Sequence, residues 1–133
     1  MDGWYLKECN MMLTEKDYCD NQTSDELEKL GYPRYHYDAT EVDKIFRIIP
    51  LYAAQKWLRE EKNIHIEVYA CAGGYIYELC KAYKPNSFSG GTTIYTPNDV
   101  DNPKLNDAGR YDDFETCLSE GIKSAVKRLK DKQ

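Results

Sequence analysis

The chain has 133 residues, 41% of them hydrophobic and 31% charged, with a formal net charge of -5. That length suits one domain and is too short for two ordinary ones, and the hydrophobic share lets it build a modest core, unlike a disordered tail. The acid excess argues against broad binding to a phosphate backbone, and no apolar run approaches the ~18 residues of a membrane span.

Residues 1 to 22 carry weak signals. Trp4, Tyr5 and Leu6 are followed by Met11, Met12 and Leu13, a pattern for a short strand or an extended segment laid on the body. Thr23-Ser24-Asp25-Glu26-Leu27 reads as a helix start, with a hydroxyl cap and acids where the dipole favours them. Leu27 and Leu30 share a face, and Gly31 with Tyr32-Pro33 ends this short helix. The stretch Glu41 to Ile49 fits either period and is read as a strand or extended entry to the next element.

Pro50 suits a first helical residue, where its missing N–H costs nothing. The predicted helix runs to about Lys62, buries Leu51, Ala54, Trp57 and Leu58, and stops at Asn63. Ile64 to Tyr83 reads as a hairpin turning at Gly73-Gly74. That turn sets Val68 opposite Leu79 and Ala70 opposite Tyr77, on a core face shared with Ile66. His65, Glu67, Tyr69, Cys71, Ile76, Glu78 and Cys80 then lie on the outer face. Lys84 to Gly90 is a loop, Gly91 to Thr96 a third strand, and Pro97 to Arg110 a long polar loop of a length often tied to function. The last helix is the clearest element. Asp112 or Asp113 caps it, and Phe114, Cys117, Leu118, Gly121, Ile122, Ala125, Val126 and Leu129 form its apolar stripe. Gly121 weakens the helix by its own propensity, so a close approach to the sheet is its expected cause.

These elements predict an α+β domain of two layers. A three-stranded antiparallel sheet carries two main helices on one face, with a short N-terminal helix beside them. One domain spans 1–133, as an N-terminal extension over 1–49 and an α-β-β-β-α core over 50–130.

Several chemistries fail on their residues. Cys stands at 9, 19, 71, 80 and 117 with no CxxC, so redox-motif and zinc-ribbon signals are missing, and with no leader at Met1 the expectation is free thiols in a reducing cytoplasm. The α-β-β-β-α order matches that of double-stranded-RNA binding domains, yet the last helix opens Asp112-Asp113-Phe114-Glu115, which repels phosphate. The acids from Asp99 to Glu115 miss a calcium loop, because Pro103 follows Asp101 by two and no Gly falls in register. His65 with Cys71 or Cys80 is the one constellation with the residue types of a thiol nucleophile or a metal site, against the plainer reading of a polar sheet face. No catalytic residue, metal or cofactor is expected. The 12 tyrosines either replace Phe in a small core or include a recognition surface.

Three segments carry a resemblance: Ser24 to Pro33; Ala54 to Glu61 followed by Ile64 to Val68; and Tyr111 to Leu129. Together they resemble small uncharacterised proteins of phages and prophages of gut bacteria, particularly Bacteroides-like hosts. The resemblance implies a phage or mobile-element setting inside a bacterial cytoplasm and carries no catalytic residue. The function expected is that of a non-enzymatic accessory protein. It would bind a host or phage protein, or form a homodimer, through the outer sheet face of His65, Glu67, Tyr69, Cys71, Ile76, Glu78 and Cys80. The alternative is a small-ligand binder, such as a nucleotide-sequestering counter-defence protein. Nucleic acid and membrane are not expected partners.

Overall fold

The structure, a computed structural model, describes residues 14–33, 48–81, 92–95 and 104–132, with backbone alone at 92–95. The expectations for Trp4 to Leu13, for 34–47, for Lys84 to Gly90 and for the acids Asp99 and Asp101 lie outside the described residues. The class is α+β. A 3-10 turn at Glu15–Asp17 leads to α1 (Asn21–Lys29), α2 (Leu51–Lys62), the strands β1 (His65–Cys71), β2 (Gly74–Lys81) and β3 (Thr92–Tyr95), and α3 (Phe114–Asp131).

The first helix begins earlier than the sequence suggests. Its cap is Asp20, whose carboxylate accepts the Thr23 backbone N–H at 2.7 Å. Thr23 and Ser24, expected as the cap, are instead buried inside the helix. Ser24 Oγ accepts the Ile49 backbone N–H at 3.1 Å, and Cys19 N–H donates to the Ile49 carbonyl at 2.7 Å. A hydroxyl that finds a tertiary partner is more useful inside this helix than at its start. Gly31 closes α1 at a φ of 114°, as its place in the sequence predicts. Asn63 closes α2 in the left-handed region at a φ of 52°. Pro50 is the cap of α2 and not its first helical residue, with an extended ψ of 143°.

The hairpin turns on Ala72-Gly73, one residue before the expected Gly73-Gly74. The register is accordingly Ile66 with Leu79, Val68 with Tyr77, Ala70 with Tyr75 and Cys71 with Gly74. The loop still has two residues, so each partner moves by two and parity survives: every residue keeps its predicted face. The reason for the slide is tertiary. Gly74 is held against the Tyr111 carbonyl and Gly73 against Ala108, and neither place admits a Cβ. β3 runs antiparallel to the far end of β2, with Leu79 opposite Tyr95 and Lys81 opposite Thr92. Nearer the turn, Tyr75 and Tyr111 exchange both backbone hydrogen bonds at 2.9 Å, so the chain entering α3 lines the same edge of β2.

The core is one cluster. Leu27 of α1, Leu58 of α2, Ile66 and Leu79 of the hairpin and Ile122 and Val126 of α3 are all buried. Two tyrosines serve as core residues. Tyr111 is fully buried and stacks on Tyr77 at 6.0 Å between ring centroids. Phe114 departs from the predicted stripe: it is 42% exposed and meets Tyr75 edge-on at 6.1 Å. It stands in the first helical position, before the part of α3 that packs into the core. Gly121 has the role its position predicts. A Cβ there would lie 2.6 Å from Ile66 Cγ2 and 3.4 Å from the Tyr77 ring.

Two effects oppose each other at that site. Alanine adds about 1 kcal/mol of helix propensity, while overpacking of this kind costs about 1–3 kcal/mol. Because both Ile66 and Tyr77 are themselves packed in, overpacking wins. Gly121→Ala is expected to lower the urea midpoint; a raised midpoint would show that α3 has room to lift.

Candidate interaction face

All the residues singled out on the outer hairpin face do share one face. His65 stands opposite Cys80, Glu67 opposite Glu78, and Tyr69 opposite Ile76, with Cys71 at the turn end opposite Gly74. Tyr69 is 45% exposed, while His65, Cys71, Ile76, Glu78 and Cys80 are half-buried.

Glu67 facing Glu78 sets like charges across the strands, which is unfavourable. Glu78 is compensated by a donor. Cys80 Sγ donates to its Oε1 at 3.4 Å, and Tyr69 lies diagonally across from it. Partial desolvation first, then the neighbouring Glu78, push the Tyr69 phenol above its ordinary value. The proton therefore stays on Tyr69.

Of the thiol-nucleophile constellation, the register brings His65 and Cys80 together and leaves Cys71 apart. The Cys80 thiol also donates to Glu78. Cys71 lies at the other end of a seven-residue strand, on the order of 20 Å from His65. Its sulfur accepts from Arg110 Nε at 2.9 Å. Among the described residues no group of three or more His, Cys, Asp or Glu could hold a metal ion.

Arg110 comes from the part of the 97–110 loop that the structure describes, and sequence reasoning did not connect it to the hairpin. Asn106 organises this turn. Its side-chain amide donates to the Gly73 carbonyl and to Asp112 at 2.9 Å each, and its side-chain oxygen accepts from the backbone of Ala108 and Arg110. Asn106 followed by Gly109 is a turn signal in the sequence; that the turn grips the tip of the hairpin is not readable there.

A second feature is a cleft of about 440 Å³ between the 3-10 turn, the start of α1, Lys104 and the first turns of α3. Three lysines border it, and each holds a carboxylate: Lys16 with Asp113 at 3.3 Å, Lys104 with Glu120 at 3.1 Å, and Lys123 with Asp20 at 3.2 Å. Thr116, by its side chain and backbone, and then Lys16 hold Asp113 below the usual carboxylate range. Burial alone would raise Asp20, but Thr23 and Lys123 outweigh it and hold it low.

Burial separates the thiols. Cys19 and Cys117 are pushed up to about 12, by desolvation first and neighbouring acidic groups next. Their folded values lie above a thiol's ordinary 9.0, so their share of stability is whole at neutral pH and is lost as pH rises past the unfolded value. A neutral-pH thiol reagent, with peptide mapping, is expected to label Cys71 and Cys80 and to spare Cys19 and Cys117 until urea is added. Equal labelling of the two pairs in the folded protein would contradict this packing. No family model, curated protein or solved structure matches the chain.

Proposed function

We propose that this chain is a non-enzymatic accessory protein of the phage type, working in a bacterial cytoplasm, which binds a host or phage protein or a second copy of itself through the outer hairpin face. The reading takes the domain as two layers, with the helices on one side of a three-stranded sheet and the binding face on the other. The observation that carries it is Tyr69, 45% exposed at the centre of a face that also bears Ile76 and two accessible thiols. A tyrosine ring offers a large amphipathic flank at little entropic cost, which is what recognition surfaces select in it. No helix among the described residues is long and apolar enough to cross a membrane.

Tyr69→Glu and Ile76→Glu place charge on this face and leave the buried cluster untouched. Wild-type protein is expected to show a complex heavier than the 15.5 kDa chain, with itself or with a protein retained from host extract. Both variants are expected to lose that complex while keeping the wild-type melting temperature. Retention of the same complex by both variants would refute the reading.

The alternative is a small-ligand binder, such as a nucleotide-sequestering counter-defence protein, using the cleft of about 440 Å³ and its three lysines. It stands second because a phosphate would have to displace Asp113, Asp20 or Glu120 from the lysine each one holds. On that reading, a nucleotide panel raises the melting temperature of wild-type protein and not of Lys104→Ala. A flat response across the panel removes it.

A further inference from the structure

We propose that the partner of this hairpin is a second copy of the same chain, joined edge to edge by antiparallel pairing of β1 with β1 about Val68. This goes beyond the proposed function: it rests on that reading for a second copy as partner, and it takes the contact to the edge of β1 beside the outer face.

The argument begins with backbone groups. Tyr75 gives both its N–H and its carbonyl to Tyr111. It therefore cannot bond Ala70, its partner across the hairpin. Antiparallel pairs alternate, so Ala70, Val68 and Ile66 all turn their N–H and carbonyl groups away from β2, and His65, Glu67, Tyr69 and Cys71 turn theirs toward it. A contact from outside agrees: Gln55 Nε2 reaches the Ile66 carbonyl at 2.9 Å. Among the described residues nothing else bonds this edge.

An edge strand of this kind is a template for pairing, and proteins that stay apart guard theirs with Lys, Pro, bulges or covering segments. β1 reads His-Ile-Glu-Val-Tyr-Ala-Cys, without Lys or Pro. The one irregularity of register lies between Leu79 and Cys80, on the far side of β2. Ala70, on the helix-bearing face beside this edge, is exposed, and Val68 only half-buried.

The strand is self-complementary in one register. β1 runs from His65 to Cys71, and its midpoint, Val68, is an outward-turned residue. A two-fold axis at Val68 pairs the whole strand: Val68 with Val68 of the second copy, Ile66 with Ala70, Glu67 with Tyr69, and His65 with Cys71. An axis at Ile66 or Ala70 would run the pairing past an end of the strand. In the Val68 register Glu67 meets a tyrosine and never another glutamate. Ala70, the smallest side chain of β1, falls beside Ile66, where Gln55 leaves least room. The pairing joins the two outer faces into one, continuous across the axis, and covers the exposed flanks of Val68 and Ala70. Each copy has a net charge of -5, so screening by salt favours the pair.

Ala70→Pro tests this directly. It deletes an N–H that no bond among the described residues uses, at an exposed position where an edge strand tolerates Pro. Light scattering across a concentration series is expected to give a wild-type dimer, and the variant is expected to dimerise about tenfold or more weakly. Circular dichroism checks that the variant folds. Amide exchange on wild-type protein is a second readout, independent of any substitution. Protection at Ile66, Val68 and Ala70 rises with concentration if the strands pair. A monomer at every concentration, or those amides unprotected throughout, overturns the pairing. The broader reading still stands in that case if Tyr69→Glu abolishes capture of a different protein; both fall if it does not.

Discussion

The close approach of α3 to the hairpin at Gly121 is the contact on which the arrangement depends. With no side chain there, the helix axis drops until Ile66 Cγ2 and the Tyr77 ring fill the space a Cβ would take. That depth brings Cys117, Ile122, Ala125 and Val126 into the same cluster as Leu79 and Leu58. It also determines where the chain before the helix must lie. Tyr111 is drawn beneath Tyr77, its backbone closes on Tyr75, and the turn around Asn106 is left gripping the hairpin tip.

The same geometry commits one edge of β2 and leaves one edge of β1. Tyr111 and β3 occupy the far side of β2, whereas among the described residues the outer edge of β1 receives one hydrogen bond, from Gln55. The outward backbone groups of Ile66, Val68 and Ala70 lie in one row along that edge. Beside that row, the outer face combines an exposed tyrosine, two thiols and a glutamate that accepts from Cys80. His65 lies directly across from Cys80, whereas Cys71 stands a strand's length away.

The lysine-bordered cleft has a structural role. Its ion pairs connect the 3-10 turn, the α1 cap and the Lys104 turn to α3, so segments far apart in sequence converge on the start of one helix. Exposed pairs of this kind contribute about 0–1 kcal/mol each. They position more than they stabilise, and the apolar cluster beneath them supplies the cohesion.

The α+β class, the span of α2 and α3, the stop at Asn63 and the need for a glycine at 121 were legible in the residues, because each follows from a local period or a backbone preference. The division of the hairpin into two faces was legible for the same reason: alternation survives any slide that preserves a two-residue turn. Tertiary contacts decided the rest. Gly73 and Gly74 made a turn certain but not its place, which depended on Ala108 and Tyr111 pressing on them from outside. Ser24 looked like a cap and became a buried acceptor for Ile49, a residue 25 positions away. Arg110 beside Cys71, and the side of β1 that faces away from β2, could not be read from spacing at all. Both depend on which distant segment takes which side of β2, and that choice is made by packing across the whole core, not by neighbours in the chain.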